Sequence, residues 1–156
     1  MPKEIERKFL VRKDLWYAVQ KPAGSTIRQG YLVSEAAKTV RIRVTDTCAF
    51  LTIKGPAQNT TRDEYEFAIP VNEGTEIMEK FALNQVEKIR YTLQYKGKKW
   101  EVDEFLGENE ELILAEIELT DEKEEFVNPP WLGEEVTMDI RYYNSSLAVT
   151  PFKSWK

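Results

Sequence analysis

The chain has 156 residues, 42% of them hydrophobic and 12% aromatic, which predicts one folded domain over residues 1–156 and excludes a disordered chain. Its formal net charge of −5 leaves no broad basic face for duplex nucleic acid. Because it has neither an apolar run long enough to span a membrane nor a secretory signal at its start, we expect a cytoplasmic protein without a membrane partner.

Alternation with a period of two residues dominates the sequence and predicts strands with two different faces. Turn signals separate several of them, including Asp46-Thr47, Gly55-Pro56 and the tight hairpin Lys96-Gly97-Lys98. This pattern is typical of a mainly β, largely antiparallel barrel or sandwich. The predicted strands are residues 3–12, 26–33, 39–46, 49–55, 61–70, 86–96, 98–106 and 112–120.

Few segments have helical character. Asp14 and Asn72 are predicted to be N-caps, and the acidic run before Pro129-Pro130 predicts a short helix. The tail from Tyr142 onward is predicted to be a last helix or a packed strap. The predicted helices run from Asp14 to about Gln20, from Glu73 to Leu83 and from Asp121 to Phe126. We expect Trp16, Trp131 and Trp155 to pack in the core or against helices, and Cys48 to be structural.

The charged strand faces are unusual, because their charges are grouped by sign within each strand. Surface faces that are stabilised by ion pairs tend to mix signs, since like charges at neighbouring positions repel. Arranged around a closed sheet, these strands would form a cavity with an acidic region and a cationic region, wide enough for one small ligand. The charged faces carry Glu4, Glu6 and Lys8; Arg41 and Arg43; Lys54; Arg62, Glu64 and Glu66; Lys88 and Arg90; Glu101 and Asp103; and Glu116 and Glu118.

The absence of histidine restricts the chemistry of such a cavity. It excludes Ser-His-Asp and Cys-His catalysis and histidine-containing zinc sites, and Cys48 alone cannot form a thiolate metal site. Carboxylates bind hard cations such as Mg²⁺ or Mn²⁺, which are typically shared with substrate phosphates, while Arg and Lys bind the remaining phosphate oxygens. The residues therefore predict a site for a metal-bound polyphosphate.

These residues resemble the CYTH or triphosphate tunnel metalloenzyme superfamily, whose Glu-x-Glu-x-Lys signature matches Glu4-Ile5-Glu6-Arg7-Lys8. A typical Gln29-Gly30-Tyr31-Leu32 segment precedes the strand with two arginines. The opening Glu-Ile-Glu-Arg-Lys-Phe-Leu-Val is most similar to the short bacterial inorganic tripolyphosphatase branch. The match continues in order through Arg41-Ile42-Arg43, Lys54, Arg62-Asp63-Glu64-Tyr65-Glu66, Lys88-Ile89-Arg90, Asp103 and Glu116-Ile117-Glu118.

The resemblance implies an eight-stranded antiparallel closed barrel forming a tunnel open at both ends, with helices packed outside. It also implies hydrolysis of a triphosphate with Mg²⁺ or Mn²⁺. The metal ligands are expected to be Glu4, Glu6, Glu116 and Glu118, with Glu64, Glu66 and Asp103 as further ligands or water-orienting bases. The expected phosphate contacts are Lys8, Arg41, Arg43, Lys54, Arg62, Lys88 and Arg90. Lys8, with Tyr31, is expected to bind the terminal phosphate or to protonate the leaving group, and Glu66 to act as a base.

Four alternatives to a tripolyphosphatase are left open by the sequence. They are a class IV adenylate cyclase, a thiamine triphosphatase, a non-catalytic polyphosphate-binding module and a barrel in which the charged pairs are purely structural. The last is disfavoured, because burying so many ionised groups without a ligand is costly. A homodimer is also left open, since relatives can be dimers and no interface is recognisable here.

Overall fold

A computed structural model describes residues 2–155 of the chain. The nine strands are β1 (Lys3–Val11), β2 (Ser25–Ser34), β3 (Thr39–Val44), β4 (Ala49–Lys54), β5 (Thr61–Ile69), β6 (Asn84–Tyr95), β7 (Lys98–Phe105), β8 (Ile113–Glu118) and β9 (Leu132–Glu135). The α-helices are α1 (Lys13–Tyr17), α2 (Val71–Phe81) and α3 (Asn144–Val149). Short 3₁₀ helices cover Gly107–Asn109, Ile140–Tyr142 and Phe152–Ser154.

Eight strands form a closed antiparallel barrel in the order β1, β5, β4, β3, β2, β6, β7 and β8, with β8 pairing back to β1. Closure depends on β1, whose residues 3–5 pair with β5. Farther along the same strand, Phe9 and Val11 pair with β9, which extends the sheet where β5 leaves β1. The predicted closed barrel and its eight main strands are therefore confirmed.

The Lys96-Gly97 hairpin is also confirmed as a two-residue turn. Both residues have positive φ, 48° for Lys96 and 81° for Gly97, which is the requirement of a type I′ turn. It joins β6 to β7, the pair with the longest ladder of the sheet. The turn thereby sets the register that brings Arg90 opposite Asp103.

Apolar residues on the outer face hold two helices against the barrel. Trp16 of α1 is fully buried and makes edge-to-face contact with Trp131, which in turn contacts Trp100 of β7. Helix α2 packs on β3 and β4 through Met78, in a cluster with Ile42 and other buried residues. The expectation that Trp16 and Trp131 belong to the core is confirmed, whereas Trp155 is half-buried against Tyr142 and Phe152.

An apolar layer crosses the bore at one end. Leu10, Phe105 and Leu114 lie on the inward positions of their strands and pack with Leu147 of α3. The 3₁₀ helix before α3 adds Tyr142 to the same cluster. The structure therefore differs from the expected tunnel open at both ends, and α3 lies across one end of the barrel. The long-range contact of the C-terminal segment with the barrel has no local signal in the sequence.

Three local predictions were wrong. The run Asp121 to Phe126 forms a turn, because side chains bond to nearby backbone: Asp121 Oδ1 accepts from Lys123 N and Glu124 Oε1 accepts from Thr120 N. Neither Asp14 nor Asn72 is an N-cap, since α1 and α2 begin after Arg12 and Pro70 without side-chain caps. Strand β9 was not predicted. Across residues 2–155, no helix has the length and apolar character needed to span a membrane.

Candidate active site

A cavity of about 260 Å³ occupies the bore of the barrel. This volume is just below the roughly 300–1,000 Å³ of sites for drug-sized ligands, so it suits a small molecule. Every residue that the sequence singled out for the site lines it except Asp103, which is fully buried beside Lys88 and Arg90. The charged lining residues are Glu4, Glu6, Glu64, Glu66, Glu101, Glu116 and Glu118 with Lys8, Arg41, Arg43, Lys54, Arg62, Lys88, Arg90 and Lys99.

The order of strands around the barrel divides this lining into two sides. Four adjacent strands, β5, β1, β8 and β7, supply all seven lining carboxylates. The remaining arc, β4, β3, β2 and β6, supplies five cations and no carboxylate. Lys8, Arg62 and Lys99 are the lining cations on strands that also carry acids. The expected separation into an acidic region and a cationic region is thus present in the fold.

Like charges meet on the acidic side. Glu6 lies directly opposite Glu118 in the β1–β8 ladder. The Glu6 carboxyl also hydrogen-bonds with Glu116, and burial together with the charges of Glu116 and Glu4 raises the pKa of Glu6 well above its usual value. Burial likewise raises the pKa of Glu118, with Glu4 and Glu101 adding to the effect. Carboxylates arranged in this way repel each other unless a proton or another cation lies between them.

Lysine and arginine hold the other carboxylates at the edge of the acidic side. Lys54 Nζ lies 3.0 Å from both carboxylate oxygens of Glu4 and 3.3 Å from Glu64. On the neighbouring strands, Thr52 Oγ1 donates to Glu66 at 3.0 Å, and Arg41 lies 3.5 Å from the same carboxylate. These contacts fix the positions of Glu4 and Glu66 within the cavity wall.

Two arginines on β3 have unused hydrogen-bonding capacity. The buried Arg41 Nε has no hydrogen-bond partner among residues 2–155, although buried donors are nearly always paired. Arg43 donates to the neutral Gln29 Oε1 at 3.0 Å. Burial, with the nearby charges of Arg41 and Arg90, lowers the pKa of Arg43 to about 10, so it remains cationic at neutral pH.

Asp103 acts as the counter-ion of two buried cations. Its carboxylate binds the Arg90 guanidinium through two hydrogen bonds of 2.8 and 2.9 Å and lies 2.7 Å from Lys88 Nζ. Although burial opposes ionisation, the charges of Arg90 and Lys88 lower the pKa of Asp103. Burial lowers the pKa of Lys88 to about 7. The charge of Asp103 offsets this effect only in part, because the carboxylate is shared with Arg90. In this structure the expected metal ligand Asp103 is therefore engaged by Arg90 and Lys88.

Lys8 and Tyr31 form hydrogen bonds with different partners. Lys8 Nζ donates to the Tyr142 carbonyl at 3.2 Å and lies over the ring of Tyr143, which Arg62 also contacts. The Tyr31 hydroxyl instead accepts a hydrogen bond from Gln29. No hydrogen bond joins Lys8 to Tyr31 within residues 2–155, although both side chains line the same cavity.

Apart from Tyr31, the sequence did not predict roles for the neutral residues in or behind the cavity wall. Gln29 is fully buried and lies on the inward face of β2 with Tyr31, a position that strand alternation could have identified. Tyr143 and Asn144 come from the C-terminal segment, and Asn144 Oδ1 accepts a hydrogen bond of 2.7 Å from Lys88. No local pattern places that segment against the bore.

The acidic side provides the oxygen ligands that Mg²⁺ or Mn²⁺ prefers. Within residues 2–155 no three carboxylate or thiol side chains already form a metal cluster, because Glu4 is bound to Lys54 and Glu116 lies beside Lys8 and Arg90. The interaction between Glu6 and Glu116 nevertheless brings two carboxyl groups together, where a divalent cation would relieve their repulsion. The carboxylates of the acidic side therefore fit a divalent metal ion, once Glu4 is released from its ion pair with Lys54.

Comparison with known proteins identifies relatives along the whole chain. The profile of the CYTH domain family matches residues 2–148. A protein of Acetivibrio thermocellus named inorganic triphosphatase is 49% identical over 157 residues, covering 100% of this chain and 99% of the relative. A protein of Nitrosomonas europaea with the same name is 36% identical over 151 residues, covering 94% of this chain and 97% of the relative.

Solved structures show the same fold. The crystal structure of an inorganic triphosphatase superposes with a TM-score of 0.65 at 35% identity, and 96% of each chain is covered. A putative adenylate cyclase from Bacillus halodurans superposes with a TM-score of 0.63 at 18% identity, covering 79% of this chain and 84% of that chain. At that identity the second similarity shows the fold alone.

Proposed function

This chain belongs to the CYTH domain family, and we propose that it hydrolyses a triphosphate, with inorganic tripolyphosphate as substrate, inside the charged bore. The observation that carries the proposal is the division of one small cavity into an acidic side and a basic side by the strand order of the barrel. A polyphosphate with a bound divalent cation has the complementary distribution of charge. Two relatives named inorganic triphosphatase, at 49% and 36% identity, support the same substrate.

The basic side would bind the phosphate oxygens. Arg41 has a buried donor without a partner in the described structure, and an anion in the cavity would satisfy it. Arg43 donates to a neutral acceptor, so its charge is available to a ligand. Lys88, Arg90, Lys54 and Arg62 would add further charge around the same cavity. Charge-assisted hydrogen bonds from arginine or lysine to phosphate are roughly twice as strong as hydrogen bonds between neutral groups.

Glu4, Glu6, Glu116 and Glu118 would hold Mg²⁺ or Mn²⁺ on the acidic side. The bound ion would supply charge neutralisation at the phosphate oxygens. The close approach of Glu6 to Glu116 and its position opposite Glu118 support this assignment, because a cation would relieve the repulsion among them. Asp103 would contribute indirectly, by keeping Arg90 and Lys88 in place.

Hydrolysis forms a bond between a water oxygen and the terminal phosphorus while the bridging phosphorus–oxygen bond breaks, giving orthophosphate and pyrophosphate. Glu66 is held by Thr52 and Arg41 at the cavity wall, where it would orient the water and accept its proton. Lys8, buried at the closed end beside Tyr142 and Tyr143, would neutralise the charge that develops on phosphate oxygens.

The lining favours an inorganic substrate over a nucleotide. Apart from Ala57 and two tyrosines, the cavity wall consists of charged and polar side chains. The ring of Tyr143 already contacts Lys8 and Arg62, which leaves little free aromatic surface for stacking a base. The apolar layer at one end further restricts the length of the bore.

The test is phosphate release from tripolyphosphate, thiamine triphosphate, ATP and GTP with Mg²⁺ or Mn²⁺, together with an assay for cyclic AMP formed from ATP. We expect phosphate release with tripolyphosphate as the preferred substrate. Cyclic AMP without phosphate release would identify a cyclase instead. Tight tripolyphosphate binding without release of phosphate from any compound would identify a non-catalytic binding module.

A further inference from the structure

Gln29 is a neutral side chain buried behind the charged cavity wall, where it contacts the lining residues Arg43, Tyr31 and Asn144. It is 0% exposed and lies on β2, where Gln29 faces Arg43 and Tyr31 faces Arg41 across the β2–β3 ladder. Between them Gly30 points outward, where Met78 of α2 packs against it. A buried amide requires partners for both its oxygen and its nitrogen. The partners of the amide oxygen and the amide nitrogen therefore determine the role of Gln29.

The orientation of the Gln29 amide is set by Arg43. Arg43 Nε donates to Gln29 Oε1 at 3.0 Å, and a guanidinium has no acceptor, so the amide oxygen must face it. The amide nitrogen then faces the other way and donates to the Tyr31 hydroxyl at 3.1 Å and to Asn144 Oδ1 at 3.3 Å. Asn144 Oδ1 also accepts from Lys88.

This arrangement determines the direction of the Tyr31 hydroxyl proton. Because the hydroxyl oxygen already accepts a hydrogen bond from Gln29, its own proton must be donated elsewhere. Tyr31 lines the cavity, so an acceptor inside the bore is the available partner. The Gln29 amide oxygen also accepts a hydrogen bond from Arg43 Nε, which leaves both η nitrogens of Arg43 available to an anion. Gln29 thus orients two groups that would contact the substrate.

We infer that Gln29 is a positioning residue, which directs the Tyr31 hydroxyl proton into the bore and anchors the Arg43 guanidinium toward the phosphate oxygens. The inference rests on the proposed function, since it assigns a role in binding and turnover of the triphosphate. It requires the amide group of Gln29 in particular, because a carboxylate of the same size would accept the tyrosine proton and turn it away from the substrate.

Gln29→Glu tests the direction of that hydrogen bond. The new carboxylate keeps an acceptor for Arg43 but withdraws the Tyr31 proton, so kcat at saturating tripolyphosphate should fall about 10- to 100-fold. In a Tyr31→Phe background the same change should alter kcat less than about threefold, because the hydroxyl through which it acts is gone. Gln85→Glu adds the same charge on an exposed position of β6 and should leave kcat unchanged.

Gln29→Met removes all three hydrogen bonds of the side chain without adding charge, and provides a second variant if Gln29→Glu does not fold. It should lower kcat and also raise KM, because Arg43 loses its anchor. A Gln29→Glu protein with wild-type kcat, or one whose loss of kcat is undiminished in the Tyr31→Phe background, would overturn the inference. An inactive wild-type protein would instead overturn the proposed function itself.

Discussion

Glu6 lies directly opposite Glu118 in the β1–β8 ladder, and the Glu6 carboxyl also contacts Glu116. Like charges placed opposite each other in a sheet are destabilising, so this arrangement costs folding free energy. Across the cavity, Arg41 keeps a buried donor without a partner in the described structure. Both features are expected of a wall shaped to bind a ligand that carries phosphate and a metal ion.

Arg41→Ala should mainly weaken substrate binding. The side chain lies 3.5 Å from Glu66 and has an unpaired Nε, so its loss removes charge-assisted contacts with phosphate oxygens. We expect KM for tripolyphosphate to rise about 10- to 100-fold, with a smaller fall in kcat. The measurement is steady-state phosphate release. Arg141→Ala removes an exposed arginine outside the cavity and should leave both constants unchanged.

Asp103→Asn should destabilise the fold, because it leaves the buried Lys88 and Arg90 without their shared counter-ion. Removing one partner of a buried ion pair typically costs about 3–5 kcal/mol. Urea unfolding of the variant measures this loss directly. Asp63→Asn, which breaks an exposed ion pair with Lys3, should change the unfolding free energy by no more than about 1 kcal/mol. A stable Asp103→Asn protein with altered metal dependence would support the metal-ligand role expected from the sequence.

Gly30→Ala tests the packing of α2 against the barrel. A Cβ at this position would lie 2.8 Å from Met78 Cγ and 2.9 Å from Ala82 Cβ. Overpacking of this kind costs about 1–3 kcal/mol, so thermal unfolding should shift to lower temperature. At Gly55 the nearest atom to a new Cβ is 3.7 Å away, and Gly55→Ala should leave the melting temperature nearly unchanged. Equal melting temperatures for both variants would contradict the close packing of Gly30 against Met78 and Ala82.

The ion pair between Arg7 and Glu135 should make the attachment of β9 to β1 dependent on pH. Two hydrogen bonds of 2.8 and 2.6 Å join the side chains, and those from Arg7 lower the pKa of Glu135. A lowered pKa in the folded state stabilises the protein above the unfolded value of about 4.3, and this contribution is lost as the pH falls through the folded value.

Glu135→Gln should therefore lower stability at pH 7 by no more than about 1 kcal/mol, because both side chains are partly exposed. The difference from wild type should shrink toward pH 3, as measured by thermal unfolding across the pH range. A constant difference at every pH would show that ionisation of Glu135 does not contribute.

The barrel and its charged lining could be predicted because strand alternation is a local property of the sequence. Arg41 and Arg43, for example, flank the buried Ile42, so their inward direction follows once the strand is identified. The grouping of charges by sign then predicted the two sides of the cavity. Alternation predicted the eight strands but left a barrel or a sandwich open, and the closed antiparallel barrel was implied by the resemblance to the CYTH family.

Contacts that depend on the three-dimensional path of the chain could not be predicted. The C-terminal segment crosses the end of the barrel and brings Asn144 to Lys88, although the two residues are 56 positions apart. Strand alternation places Asp103 on the inward face of β7, as expected of a metal ligand. The pairing of β7 with β6, however, buries it beside Lys88 and Arg90. Side-chain bonds to the backbone around Asp121 similarly overrode a composition that suggested a helix.

The most direct test of the central claim compares tripolyphosphate hydrolysis by the wild-type protein, Glu6→Gln and Glu116→Gln in the presence of Mg²⁺ or Mn²⁺. We expect phosphate release by the wild type and a loss of at least about 100-fold in each variant, with melting temperatures close to wild type. Glu108→Gln, an exposed substitution, serves as the matched control. Wild-type rates in folded Glu6→Gln and Glu116→Gln proteins would show that the bore is not the active site.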